Sequence, residues 1–493
     1  MRKYLARLLS FYRRPINPAH ELASMVHDLH RVHRDEEIKQ LLAIDKFQLP
    51  ERWHALGRYF PVHYNKSGKI RNMWLLRWAF RQPIRRALAA MSQARQRAEL
   101  MVGILGDEQE FIKMLRARRQ IQEELISCLG LTEAPVRYMT NYWVRKIGHL
   151  AQIEFYFKAM KLGFIPPYRL IIMCKNKKEI ANNCLLDYWK EHIRVIVSRR
   201  AYRRQALEAK ILEVDIHLFE GTLTQPCLYH KQAAALAWHQ WEFEKRPPLF
   251  SMKASHLERG RAALRQMGVP ENAWFVALHI RESGFSDETG TSPRDASIEN
   301  YLPAIQEINA RGGWVIRVGD KGMKQVPQKT GFLDYPHTPW KSDWMDVFLL
   351  AACRFFIGVA SGPAGVPPLF GVPCVYTNWM PMADYPYHGK ALLIHKTHRD
   401  SVSGQKAPYS RFVSMCTDYN LALKRTNLIL EENTAEELRE VVIEMLDHLD
   451  GTLPGDQEND QRQAQFRELA GIKSPYGRPS LGRKFLESNA ALL

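Results

Sequence analysis

The sequence predicts an α/β protein: two Rossmann-like domains, each a parallel sheet covered by helices, preceded by a helical N-terminal region. Three observations carry this. Short apolar runs alternate with helical spacing from about 136 to 250, and again from 251 to 450. Pro247-Pro248, a strong helix breaker, separates the two series and marks a hinge boundary. Before about Pro135 the apolar residues recur instead at three- and four-residue spacing, as at Leu22, Met25, Val26, Leu29 and Val32. The expected organisation is therefore a basic helical region (1–135), an N-terminal Rossmann-like domain (136–250), a C-terminal Rossmann-like domain (251–450) and a polar tail (451–493) that frays.

Each element follows from its local pattern. Residues 142–147 read as a first strand, Gly148-His149 as a turn, and 150–161 as a helix. Strands at 169–174 and 192–197 bracket a helix at 180–190, completing β-α-β-α-β. In the second series a helix at 257–267 precedes a strand over 274–281. A helix at 298–310 and a strand at 314–318 follow, then a helix at 345–352 and a strand at 355–359. A helix at 364–370, a strand at 374–377 and a closing helix at 435–449 complete it. Two such halves place a ligand crevice between them, at the carboxyl ends of the strands.

Composition bounds the chemistry. The 493 residues are 46% hydrophobic, enough for a real core and against wholesale disorder. No run of eighteen apolar residues encodes a membrane span, and Met1 to Ser10 lacks the apolar stretch and cleavage site of a signal peptide. This leads to a cytoplasmic location, with the inner face of the membrane as a peripheral docking place. Seven scattered cysteines without C-x-x-C spacing read as reduced core thiols. The net charge of +18 favours anionic partners. It is concentrated where Arg52 to Arg97 contains no acid but holds Trp74 and Trp78. That stretch suits either a solvated helical face packed on the catalytic body or contact with an anionic membrane; nucleic acid is the less favoured partner.

Four positions carry candidate chemistry. His279-Ile280-Arg281 ends an apolar strand, whose alternation puts His279 and Arg281 on one face. The Arg281 fork suits a diphosphate, or else pairs structurally with an Asp. Gly358 to Gly365 follows a strand and opens a helix, so Ser361 and Gly362 would present free amides to phosphate. Asp320, past another strand end, can accept from a ribose or base. Asp346 starts the helix before the Ser-Gly turn, where it suits a ligand site or simply the helix terminus. There is no G-x-x-x-x-G-K-[ST], H-E-x-x-H or G-x-S-x-G pattern, and no convincing D-x-D metal site.

The ordered set His279-x-Arg281, Arg294-Asp295 to Tyr301, Gly312 to Asp320 and Asp346 to Gly362 resembles a bacterial family of glycosyltransferases whose acceptors are generally undefined. It is also remotely similar to the fucosyltransferases that carry H-x-R, and the stretch 361–373 is similar to heptosyltransferases. The resemblance covers about 142–396. It implies GT-B architecture, a nucleotide-sugar donor as substrate, no cofactor and no essential metal. By that resemblance Arg281 holds the donor diphosphate, His279 and Asp320 the nucleoside, and Ser361 with Gly362 the phosphates. Fucosyltransferases often have a second Arg where this chain has Glu282, which counts against GDP-fucose. The implied reaction is attack by a hydroxyl of a glycan, lipid-linked or protein acceptor on the anomeric carbon, with inversion. His149 is the expected general base, with Glu154 and Asp187 behind it.

Overall fold

The computed structural model describes residues 81–105, 108–214, 218–219, 228–282, 292–327, 329–380, 386–413, 426–472 and 477–493. The described residues divide into two compact units: those up to Pro135 with 210–214 and Leu218, and the remainder.

In the first unit, α1 (Arg81–Leu105) and α2 (Glu108–Cys128) pack together. The buried stripe Ile84, Ala87, Met91, Ala94 of α1 has the spacing that the sequence reading relied on, and α2 contributes Met114, Ile121 and Leu125. Arg95 and the buried Arg118 both reach Glu213 Oε1 at 3.2 Å. Gln122 Nε2 donates to the carbonyls of Ile211 and Glu213 at 2.9 and 2.8 Å. Part of the basic surface is thus neutralised internally. Most of the acid-free stretch, with Trp74 and Trp78, lies outside the described residues.

The second unit holds two parallel sheets, the α/β class expected. The smaller one runs β1 (Val136–Met139), β2 (Arg169–Cys174), β3 (Ile193–Val197) in spatial order. Between β1 and β2 lie α3 (Ile147–Gln152) and α4 (Glu154–Lys161); α5 (Asn183–Trp189) precedes β3, and α6 (Arg199–Ile211) follows it. The strand expected at 142–147 is instead a 3-10 turn at Asn141–Val144 running into α3, and the real first strand lies earlier. Tyr142-Trp143-Val144 has the β-branched and aromatic content of a strand, yet Val136–Met139 buries Val136, Tyr138 and Met139 in the sheet. His149 therefore sits inside a helix, not in a turn.

After α7 (His230–Phe243) and α8 (Ala254–Gln266) the large sheet begins. Its first strands are β4 (Trp274–His279), β5 (Gly313–Arg317) and β6 (Phe332–Asp334), with α9 (Leu302–Ala310) between β4 and β5. Then come α10 (Asp343–Ala352), β7 (Phe356–Gly358), β8 (Cys374–Trp379) and β9 (Ala391–His395). A separate antiparallel pair is formed by β10 (Thr397–Asp400) and β11 (Leu428–Glu431). The chain ends with α11 (Ala435–Asp450), α12 (Gln457–Leu469), β12 (Ser480–Leu481) and α13 (Arg483–Ser488). The order across the sheet is β12-β9-β8-β7-β4-β5-β6, all parallel. The chain moves outward from β4 to β6, returns to the other side of β4 as β7, and moves outward again. The direction reverses between β4 and β7, and ligands of doubly wound sheets bind at such a point.

Both faces of this sheet are covered, which is why its strands read as continuous apolar runs. On one face Val276, Leu278 and Ile280 join Ile305, Ile308, Val441 and Met445 from α9 and α11. On the other, Gly260 of α8 admits the Phe348 ring of α10; a Cβ there would lie 2.1 Å from it. The segment after Gly451 does not fray. Its β12 pairs with β9, and Phe466, Phe485 and Leu486 are buried. Few apolar residues sufficed, so the polar composition was misleading. Pro247-Pro248 is likewise packed and not a free joint: Trp241 Nε1 donates to Pro247 O at 2.8 Å, and Pro248 contacts the left-handed Gly371. Cys128, Cys174, Cys353 and Cys374 are buried free thiols, and Cys184 is half-buried and free. No helix among the described residues is long and apolar enough to cross a membrane.

Candidate functional site

The carboxyl ends of β4 and β7 lie side by side. Gly358 pairs with His279, and Val359 N donates to His279 O at 3.2 Å. A Cβ on Gly358 would stand 2.8 Å from that carbonyl oxygen, so the glycine lets the strands close at the reversal point. The His279 ring is buried, with Nδ1 2.9 Å from Val318 O. That carbonyl can only accept, so Nδ1 carries the proton and Nε2 is the free acceptor. Burial pushes the imidazole pKa down to about 4, and the charges of Arg317, Lys341 and Arg281 act in the same sense.

Arg281 lies two residues beyond the end of β4, so strand alternation does not place it. Its Nε is 3.3 Å from Asp295 Oδ1, with side chains 13% and 15% exposed. Asp295 in turn accepts from Ser292 N through Oδ2 at 2.8 Å, and Lys396 Nζ donates to its main-chain carbonyl at 2.6 Å. The structural pairing weighed for Arg281 is therefore present. Glu282 Oε1 lies 2.8 Å from Arg317, which also reaches Asp334 Oδ1 at 2.9 Å. Arg317 is fully buried on β5, and Glu282 helps to neutralise it. A second arginine at 282 would face a buried cation.

Ser361 and Gly362 follow β7. The helix expected over 364–370 is two short 3-10 turns, Pro363–Gly365 and Pro367–Phe370, set by three prolines and the left-handed Gly371. There is no α-helix terminus here, and the helix-dipole part of the phosphate argument falls away. What remains is local. Among the described residues neither the Ser361 nor the Gly362 amide donates to a backbone acceptor, and the buried Ser361 Oγ has no hydrogen-bond partner. Helix α3 lies against this turn through Ile147, Gly148 and Ala151.

His149 belongs to that helix. Its ring stacks on Tyr142 at 4.2 Å, with Nε2 3.2 Å from the Tyr142 hydroxyl and Nδ1 buried without a hydrogen-bond partner among the described residues. Burial lowers its pKa, and Lys146 lowers it further. Glu154 is committed elsewhere, in a buried ion pair with Lys158 at 2.6 Å, and Asp187 pairs with Lys190. Asp320 is exposed and accepts from Gly322 N at 2.9 Å, which ties its carboxylate to the local turn. Asp346 is held by Lys341 and by the Tyr335 hydroxyl at 2.8 Å, and burial raises its pKa. The structure thus sets His279 beside Gly358, at the strand ends from which Arg281 and the Ser361-Gly362 turn follow, while Asp320 and Asp346 have local partners. Sequence reasoning missed Lys341 and Lys396. Neither lies in a motif, and only the packing of their loops brings the first near His279 and the second onto Asp295. Among the described residues no group of three or more His, Cys, Asp or Glu side chains is placed to hold a metal.

No family model matches the chain. No curated protein matches it either. Among solved structures it is similar to a family 9 glycosyl transferase from Veillonella parvula, at 10% identity and TM-score 0.41, covering 64% of this chain and 97% of that one. It is also similar to the iron-containing dodecameric glycosyltransferase TibC from enterotoxigenic E. coli, at 14% identity and TM-score 0.28, covering 49% and 57%. The E. coli heptosyltransferase WaaC with ADP gives 11% identity and TM-score 0.26, covering 58% and 96%. These overlaps are remote.

Proposed function

We propose that the chain is a GT-B-type glycosyltransferase that binds a nucleotide-sugar at the carboxyl edge of its large sheet and transfers the sugar to an acceptor hydroxyl. The observation that carries this reading is the meeting of β4 and β7 at the reversal point, with His279 and Arg281 on one side and Ser361-Gly362 on the other. Arg281 and the two turn amides offer positive charge and donors to a leaving diphosphate, without a metal. Neutral His279 presents Nε2 as an acceptor for a sugar or nucleoside hydroxyl. His149, neutral near pH 7 and carried by the helix on the Ser361-Gly362 turn, is the base that takes the acceptor proton. Asp320 and Asp346 act on the donor only if their present partners are exchanged for it.

The test is a melt of the full chain against ADP-, GDP-, UDP- and CMP-sugars, followed by a transfer assay with the stabilising donor. Stabilisation by one nucleotide class, and turnover that survives EDTA, supports the reading. No stabilisation by any of them overturns it.

A further inference from the structure

The small sheet presents an unbalanced positive edge that the donor reading does not use. After β1 come Arg145 and Lys146. After β2 come Lys175, Lys177 and Lys178. After β3, the first turns of α6 carry Arg199, Arg200, Arg203 and Arg204. All nine are exposed. Parallel strands put these three segments at the same, carboxyl, edge, and direct bonds knit them together. Ala181 N donates to Val144 O at 2.8 Å, and Ser198 N to Cys174 O at 2.9 Å. Lys175 Nζ stands 5.0 Å from the centre of the Tyr202 ring.

Acids are nearly missing from this edge. Glu179 is the acid within these three loops, and it is occupied by Lys175 N at 2.9 Å and Asn141 Nδ2 at 3.1 Å. Asp187 and Glu191 fall at the opposite edge, before β3. None of the nine bases forms an ion pair with an acid among the described residues. Surface cations placed this close repel one another, and Glu179, whose charge interacts with Lys175 and Arg145, is a single counter-charge for nine bases. Helix α6 adds its amino terminus in the same direction, capped by Ser198 Oγ accepting from Ala201 N at 3.2 Å.

The edge is continuous with the proposed active site. Lys146 directly precedes α3, whose Gly148 touches Gly362. The far end of the β2 loop also meets the large sheet's side, where Asn182 Nδ2 donates to Asp343 O at 3.0 Å and Asn183 N to Asp343 Oδ2 at 2.8 Å. We infer that this basic edge is the acceptor site and that the acceptor is a glycan bearing several phosphate groups. The word acceptor rests on the glycosyltransferase reading; the anion site itself does not. Arginines in a row on α6 and lysines on the β2 loop match spaced phosphates better than a single carboxylate.

The experiment uses the full chain and two fluorescent probes, dextran phosphate and neutral dextran of equal length, with a single-stranded oligonucleotide of equal phosphate count as competitor. Dextran phosphate should bind at least about tenfold tighter than dextran, and less tightly as salt rises. Arg199→Glu/Arg200→Glu/Arg203→Glu/Arg204→Glu should lose most of that binding while keeping its melting temperature and its nucleotide-induced stabilisation. Should that variant not fold, Lys175→Ala/Lys177→Ala/Lys178→Ala gives the same reading with a milder change. Equal binding of the two dextrans, wild-type binding by the variants, or tighter binding of the oligonucleotide overturns the inference. Phosphate-dependent binding without any nucleotide stabilisation keeps the anion site and removes the glycosyltransferase reading. Nucleotide stabilisation without dextran phosphate binding does the reverse.

Discussion

Gly148 and Gly362 meet backbone to backbone. A Cβ on Gly148 would stand 2.8 Å from the Gly362 Cα, and one on Gly362 would stand 3.0 Å from Ile147 Cγ2 and 3.1 Å from Gly148 N. The contact fixes helix α3 on the turn that follows β7, and with it the position of His149 relative to Ser361. Gly148→Val should cost about 1–3 kcal/mol, since backbone atoms on both sides must shift to make room. A lower melting temperature and a loss of donor-induced stabilisation are expected together. A variant that melts and responds like the wild type would show that the two segments part freely.

Ser361→Ala separates binding from stability. The Ser361 hydroxyl has no hydrogen-bond partner among the described residues, so its loss should leave the melting temperature nearly unchanged. If the oxygen meets the donor, affinity should fall by about 0.5–1.5 kcal/mol, one hydrogen bond. Gly362→Val should weaken donor binding more, because its side chain meets both Ile147 and the space before the turn amides. Calorimetric titration of both variants with the preferred donor measures this, and unchanged affinities would remove the turn from the site.

Arg281 has two roles to disentangle. Arg281→Ala should lower turnover by on the order of a hundredfold or more if it holds a developing diphosphate charge. It should also lower stability modestly, since Asp295 loses its cationic partner in a half-dry place. Arg281→Ala/Asp295→Ala should regain much of the stability but none of the turnover. Recovery of turnover in the double variant would reduce Arg281 to a structural ion pair.

Four of the seven strands of the large sheet, β4, β5, β7 and β8, were legible because they are buried on both faces and read as apolar runs, as in Phe275 to Leu278; β6, β9 and β12 were not read, and β6 and β12 are only three and two residues long. The misread places share a different physics. Tyr142 to Val144 has strand composition, but a 3-10 turn lets Trp143 and Val144 reach the core from a loop. Residues 364–370 carry the spacing of a helix, but Pro363, Pro367 and Pro368 limit it to single turns. The His279 to Arg281 signal marked a strand end, and that strand borders the reversal point. The partners of Arg281, Asp320 and Asp346 stayed hidden, because each is fixed by a loop contact that no periodicity records.

His149 carries a pH prediction for turnover. Burial and Lys146 hold its pKa below the ordinary 6.5, so it remains neutral, and able to accept a proton, to lower pH than a free imidazole. The rate should therefore be level through neutrality and fall only below pH 6.5, as the ring takes up its proton. His149→Gln should remove that limb together with most of the rate. A variant that keeps the wild-type profile would place the base elsewhere.

His279 carries the complementary prediction for stability. Its pKa is about 4 in the folded chain against an ordinary 6.5, because the ring is buried and the charges of Arg317, Lys341 and Arg281 add to the effect, against the opposing hydrogen bond to Val318 O. Above pH 6.5 both states hold it neutral, and it contributes no pH dependence. As pH falls below 6.5 the unfolded chain takes up the proton first, so stability is lost steadily until the folded ring protonates near pH 4. The full effect is about 3 kcal/mol for a shift of this size. His395, held down to about 4, and His388 and His398, held down to about 3, act in the same direction. Glu444, raised to about 7, acts oppositely, because its folded form binds a proton that the unfolded chain gives up until lower pH. The comparison between wild type and His279→Asn isolates the one group. Its amide Nδ2 can still donate toward Val318 O, but it does not titrate. Denaturant melts at pH 7 and pH 4.5 should show the wild type losing more stability than the variant over that interval. Parallel losses would mean that His279 titrates normally, and that the ring is open to water at the mouth of the crevice.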